Sequence, residues 1–238
     1  MRGISAATTL LLLLIGTHSA LAAEFTVTPV RIYMKPEDRA VAVTITNQTD
    51  VPVLLQADLY TWTQKADGTD ETTLTDDLAL VPPIIKLAGN GRQVVRLVRV
   101  KPADQSRQLT YRMILREVRE AAASKETVQV AITLALSMPI FITPAQAKRE
   151  VACEAAQVDG QRLNVACVNK GSAYAQVREI TVKQRQDVLG RFEGGAYILP
   201  GARKVLSIDA RNAAPGSRVQ LVVIYDDGRS DLFEVTVR

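Results

Sequence analysis

The sequence predicts an all-β protein of two sandwich domains. Three observations carry that: stretches in which apolar residues alternate with small or polar ones, turn residues recurring between those stretches, and a length that suits two units of about 100 residues each. The alternating stretches are 41–46, 53–60, 94–98, 113–118, 127–138, 163–168, 177–182, 205–208, 219–224 and 232–237. Between them stand Asn47-Gln48-Thr49-Asp50, Ala66-Asp67-Gly68, Ala88-Gly89-Asn90-Gly91, Pro200-Gly201, Pro215-Gly216 and Asp227-Gly228, residue types that reverse the backbone at low cost. The strands differ too much among themselves to form a sequence repeat.

The chain opens with a positive start at Met1-Arg2, an apolar run over residues 6–15 and the small-residue site Ala20-Leu21-Ala22. This is the pattern of a secretory signal peptide, cleaved after Ala22, with Ala23 fitting nearly as well. The apolar run is too short to span a bilayer, and no later window offers about 20 consecutive apolar residues, so the mature chain is expected to be exported and soluble. The expected organisation is a signal peptide over 1–22, a first domain over 23–143, a linker over 144–149 and a second domain over 150–238. The linker assignment rests on Pro144-Ala145-Gln146-Ala147-Lys148-Arg149, where alternation lapses.

Export changes the meaning of Cys153 and Cys167. In an oxidising compartment such a pair reads as a structural disulfide. The intervening Asp159-Gly160 is a hairpin turn signal, and folding about Gly160 sets the two cysteines opposite each other. Two cysteines cannot close a zinc site, and the single histidine of the chain, His18, lies within the signal peptide.

The absence of histidine from the mature chain removes Ser-His-Asp and Cys-His catalysis and histidine metal ligation together. There is no G-x-S-x-G elbow, P-loop or complete G-x-G-x-x-G, and the acidic pairs Asp76-Asp77 and Asp226-Asp227 fall in turn-like stretches and read as solvated. No enzyme activity, metal or cofactor is expected. The formal charge of +4, one unit of it on Arg2, is modest and spread along the chain, and aromatics make up 5% of residues, so a nucleic-acid partner is not expected. Asn47-Gln48-Thr49 reads as turn chemistry.

The stretch Thr-Val-Gln-Val-Ala-Ile-Thr-Leu-Ala-Leu-Ser-Met over 127–138 is the longest amphipathic strand pattern, with Val128, Val130, Ile132, Leu134, Leu136 and Met138 on one face. Twelve residues would span on the order of 40 Å, longer than a usual globular strand. On alternation alone, its apolar face serves either its own sandwich core or a partner.

At this point the residues resemble those of the periplasmic pilus chaperones of the bacterial chaperone-usher pathway. The resemblance runs through Thr28-Pro29-Val30-Arg31-Ile32-Tyr33, Asn47 to Val53, Trp62-Thr63-Gln64, Val81-Pro82-Pro83-Ile84-Ile85-Lys86-Leu87, Arg92 to Val98 and Tyr111 to Val118, and in the second half through Asn169-Lys170-Gly171 and Tyr197-Ile198-Leu199-Pro200-Gly201. It implies two immunoglobulin-like sandwiches set at an angle around a cleft. It also implies a function, the binding of strand-deficient pilus subunits by donor-strand complementation and their delivery to an outer-membrane usher, a form of β-strand addition. By position in the family pattern the donors are Val128, Val130, Ile132 and Leu134, while Leu136 and Met138 pack within the first domain. Arg31 matches the family arginine whose forked guanidinium binds the carboxylate ending the subunit. Where the best-known branch has a second, lysine anchor, this chain has Pro139, which has neither charge nor N–H and is expected to mark where the strand leaves its ladder. Arg112 and Arg116 are candidate replacements, with pairing to Glu117, Glu120 or solvent as the other reading. Ser-Met-Pro-Ile-Phe-Ile-Thr-Pro over 137–144 and the Pro-Pro-Ile-Ile block resemble the divergent, archaic branch. The expected location is the periplasm, without membrane insertion. The competing readings are an exported two-domain immunoglobulin-like adhesive or scaffold module and, more remotely, a hydrolase with an unrecognised carboxylate site.

Overall fold

The computed structural model describes residues 25–118, 134–159, 162–210 and 213–238. Val128, Val130 and Ile132, three of the four expected donors, lie outside these residues, as do the signal peptide and the turn at Gly160.

The first half is two sheets face to face. One runs β1 (Phe25–Thr28), β3 (Ala40–Asn47), β8 (Arg92–Arg99), β6 (Leu78–Val81). The other runs β2 (Ile32–Met34), β10 (Ala135–Ile142), β9 (Leu109–Glu117), β4 (Val53–Gln64), β5 (Asp70–Leu74), with β7 (Ile84–Leu87) also paired to β4. Alternate residues of both sheets meet in a core around Phe25, Ile45, Leu55, Ile85, Leu97 and Met113, each wholly or almost wholly buried.

The second half is one seven-stranded sheet, β11 (Val151–Asp159), β12 (Arg162–Asn169), β15 (Arg203–Ala210), β14 (Asp187–Ile198), β13 (Ala175–Gln184), β16 (Arg218–Tyr225), β17 (Ser230–Thr236). It curls until β11 lies against β17. Its core includes Leu163, Val177, Ile180, Leu221 and Val223. Cys153 and Cys167 are paired in the β11–β12 register and form a disulfide with Cα atoms 4.0 Å apart. The hairpin is less symmetrical than folding about Gly160 implies: Asp159 pairs with Arg162, and a bulge between Glu154 and Gln157 brings the cysteines opposite.

Each half is pinned by a buried asparagine at the end of a strand. Asn47 donates to the carbonyls of Val51 and Ala88 and accepts from the Thr49 N–H, while Asn169 donates to Ala173 and Ile198 and accepts from the Gly171 N–H. Both side chains are spent on turn geometry, as expected for Asn47.

The nine alternating stretches other than 127–138 form strands, several longer than the pattern indicated. The exposed β5 and the glycine-broken β14 do not show alternation, and β6 and β7 alternate over only four residues each. The stretch 127–138 differs most. Its described part joins a strand that continues past Met138 to Ile142, so Pro139 does not mark where the strand leaves its ladder: it pairs with Arg112 of β9 in mid-strand. Backbone parity explains the tolerance. Thr143 N–H donates to Met34 of β2, and the Leu134 carbonyl accepts from Glu117 of β9, so odd-numbered residues aim their amides away from β9. The missing N–H of Pro139 therefore costs the β9–β10 ladder nothing. Alternation ends at Ile140-Phe141-Ile142 because both faces are covered, Ile140 and Ile142 by the first core and Phe141 by the second.

Candidate functional site

Two features of the first half face outward. The first is an edge: β10 pairs with β9 along its whole length, but β2 covers only Ile140–Ile142, in parallel register. Among the described residues, 135–139 have unpaired backbone groups on the other side, a template for an added strand. Leu134, the one described member of the expected donor set, is half-buried against the first core just before this edge, with Leu136 likewise half-buried and Met138 buried there.

The second feature is a cleft of about 1050 Å³ between the sandwiches, whose lining includes Arg31, Tyr33, Lys35, Lys148, Tyr174 and Asp226. Arg31 stands between β1 and β2, where the chain crosses from one sheet to the other, so the backbone itself carries it to the cleft. Its Nη1 lies 2.7 Å from Asp226 Oδ2, on the turn after β16. Tyr174 OH donates to the same oxygen at 3.0 Å, and Tyr33 OH meets Tyr174 OH at 2.9 Å. Beside them Arg149 pairs with Asp227 at 3.0 Å and lies 3.8 Å over the Tyr225 ring. The hydroxyl of Tyr174 is held well above the ordinary tyrosine range, first by burial, then by its hydrogen bond with Tyr33 and by the charge of Asp226, so it donates throughout the physiological range.

Behind the cleft the halves meet in an aromatic seam. Phe141 stacks between Tyr174 at 4.1 Å and Tyr33 at 5.7 Å, and Trp62 stands edge-on to Tyr197 at 5.1 Å. Two glutamines stitch its margins. Gln64 donates to the Tyr197 carbonyl and accepts from Leu199 N–H; Gln108 accepts from Tyr174 N–H and donates to Thr143.

Of the three arginines expected as carboxylate anchors, Arg31 lines the cleft and the other two do not. Arg112 lies opposite Pro139 on β9, its guanidinium 3.8 Å over Trp62 and 3.6 Å from Asp70. Arg116 is held by Asp58 and Tyr60. Asp58 lies on β4, the neighbour of β9, and Asp70 on β5, one strand further, positions that reading along β9 alone does not reach. From sequence, Asp226 and Asp227 read as solvated turn carboxylates, whereas both line the cleft. Both follow an apolar strand and precede a glycine, which marks a turn, but only the packed halves show that the turn faces Arg31 and Arg149. Asp76 and Asp77 share Lys101 at 2.7 and 2.8 Å on an exposed surface and make no cleft.

A two-sandwich β protein with an open strand edge beside a charged cleft is built to hold another chain's strand. The family described as pili and flagellar-assembly chaperone, PapD N-terminal domain, matches residues 24–148, and this chain belongs to it. Solved structures of the same fold include a chain of the CsuC–CsuE chaperone–tip adhesion subunit pre-assembly complex from archaic chaperone-usher Csu pili of Acinetobacter baumannii, 18% identical, with a TM-score of 0.66 over 91% of this chain and 100% of that one. The E. coli chaperone DraB is 21% identical with a TM-score of 0.56, covering 90% of this chain and 96% of its own. The Pseudomonas aeruginosa CupB2 chaperone is 17% identical with a TM-score of 0.56, covering 90% and 100%. No curated protein matches the chain by sequence.

Proposed function

We propose that the mature protein is a periplasmic chaperone that captures pilus subunits by lending them the strand leading into β10, and passes them to an outer-membrane usher. The observation that carries this reading is the free side of β10 over residues 135–139, reached directly from the alternating stretch that begins at Thr127. An incomplete subunit sandwich exposes unpaired backbone and apolar pockets. An edge strand answers the first need, and alternate side chains Val128, Val130, Ile132 and Leu134 answer the second. At roughly 1.5–3 kcal/mol for each fully buried aliphatic side chain, four of them supply several kcal/mol after ordering costs.

Arg31 is the carboxylate anchor at the end of that strand, fixing register. Arg112 lies across the ladder from Pro139, the position the family lysine would hold. The division into 23–143 and 150–238 around a 144–149 linker, removal of residues 1–22, and the archaic branch complete the reading. Nothing in this function calls for catalysis, a metal or a nucleotide.

The test is co-expression with the exported, aggregation-prone proteins encoded beside it, followed by co-purification. The parent is expected to yield a stoichiometric soluble complex, and Ile132→Asp and Leu134→Asp are expected to lose it, each read only where thermal unfolding shows that the variant is folded. Folded variants that still co-purify at parental yield would show that the strand is merely core.

A further inference from the structure

Resting on the assignment of Arg31 as a carboxylate anchor, we propose that Asp226 is an internal competitor for that anchor, so that capture of a chain-terminal carboxylate is an exchange of one carboxylate for another. The geometry is direct. Asp226 Oδ2 sits 2.7 Å from Arg31 Nη1, at charge-assisted bonding distance, and side-chain exposures of 29% and 14% leave the pair open to an entering ligand from the cleft side. Asp226 is not free to drift in this state: the same oxygen accepts from Tyr174 OH, whose ring is fixed by stacking on Phe141. When a ligand takes the guanidinium, Asp226 keeps that hydroxyl donor and its exposure to the cleft, so the carboxylate it surrenders its place to does not leave it unpaired.

The remaining charges favour the exchange. Asp227 is occupied by Arg149 and Arg229, and Asp38 accepts from the Lys35 backbone N–H. Lys35 and Lys148 line the same cleft with no ion pair among the described residues, so the rim attracts an anion even while the anchor is engaged. An apolar or amidated chain end gains nothing from displacing Asp226 and is rejected. Asp226 thereby sets a threshold that a true carboxyl terminus crosses.

The experiment titrates N-acetylvalylvaline and its C-terminal amide into the mature protein and reads the Arg31 side-chain Nε–H resonance by NMR. Asp226→Asn keeps the shape and the Tyr174 contact, and is expected to tighten acid binding about fivefold or more while leaving the amide unchanged. Tyr174→Phe removes the donor that Asp226 falls back on, and is expected to weaken acid binding in the parent but not in the Asp226→Asn background. Arg31→Ala, which lacks the Nε–H probe and is followed by the backbone amide resonances of Tyr33 and Tyr174 in the cleft lining, is expected to abolish the difference between acid and amide. If the parent distinguishes acid from amide through Arg31, but Asp226→Asn does not tighten acid binding in folded protein, the competitor is overturned and the anchor stands. If acid and amide behave alike in the parent and in Asp226→Asn, the anchor assignment and the competitor fall together.

Discussion

Two groups of contacts join the sandwiches, and they are built on different chemistry. The seam of Trp62, Phe141, Tyr174 and Tyr197 with Gln64 and Gln108 is largely dry: Trp62 and Phe141 are fully buried and Gln108 is 4% exposed. The cleft floor of Arg31–Asp226 and Arg149–Asp227 is ionic and reached by solvent. Dispersion and satisfied amides cannot be exchanged for a ligand without opening the interface, whereas a half-solvated ion pair can change partner at little net cost. The seam therefore fixes the angle between the halves, and the floor is left available for binding.

Three expected outcomes concern the seam. Phe141→Ala removes the ring sandwiched between Tyr33 and Tyr174 and should cost about 3–5 kcal/mol in urea unfolding. Because Trp62 is the single tryptophan, its emission reports this interface directly and should move to longer wavelength. A loss below about 1 kcal/mol would mean that the seam does not hold the halves. Next, Gln108→Ala strands the Tyr174 N–H in a buried place and should cost about 1–3 kcal/mol by the same measurement. Third, alkaline pH should weaken the seam. The Tyr174 phenol is raised by burial above its unfolded value of about 10, so the folded chain keeps a proton the unfolded chain releases. Stability is then level below pH ~10 and declines as pH rises from there toward the folded value, and Tyr174→Phe should flatten the decline.

The smallest effect separates the two groups. Raising salt from low ionic strength to about 1 M should change unfolding free energy by less than about 1 kcal/mol while weakening carboxylate binding at Arg31 severalfold, since screening acts on the exposed pair and hardly on the rings. Equal sensitivity of both would erase the distinction.

The uneven visibility of these features in the sequence has a physical basis. Period-2 strands such as β3 and β16 were legible because one face is core and the other solvent. Phe141 was not, since a residue buried by the other half interrupts the alternation of its own strand. Arg31 could be named from its neighbours Thr28-Pro29-Val30, but its partner Asp226 is 195 residues away and reads locally as a turn. The disulfide needed only local register, and the bulge that adjusts it leaves no mark in Glu154-Ala155-Ala156-Gln157.

Pro139 gives the open edge of β10 a stopping point. A strand zipping along that edge finds amide donors at Ala135 and Ser137 and then a position with none to give, one residue before β2 takes over the pairing at Ile140. The edge thus has a fixed terminus as well as a direction, like a ruler with its zero mark cut into the backbone. A visiting chain can be measured only from there outward, whatever its side chains prefer.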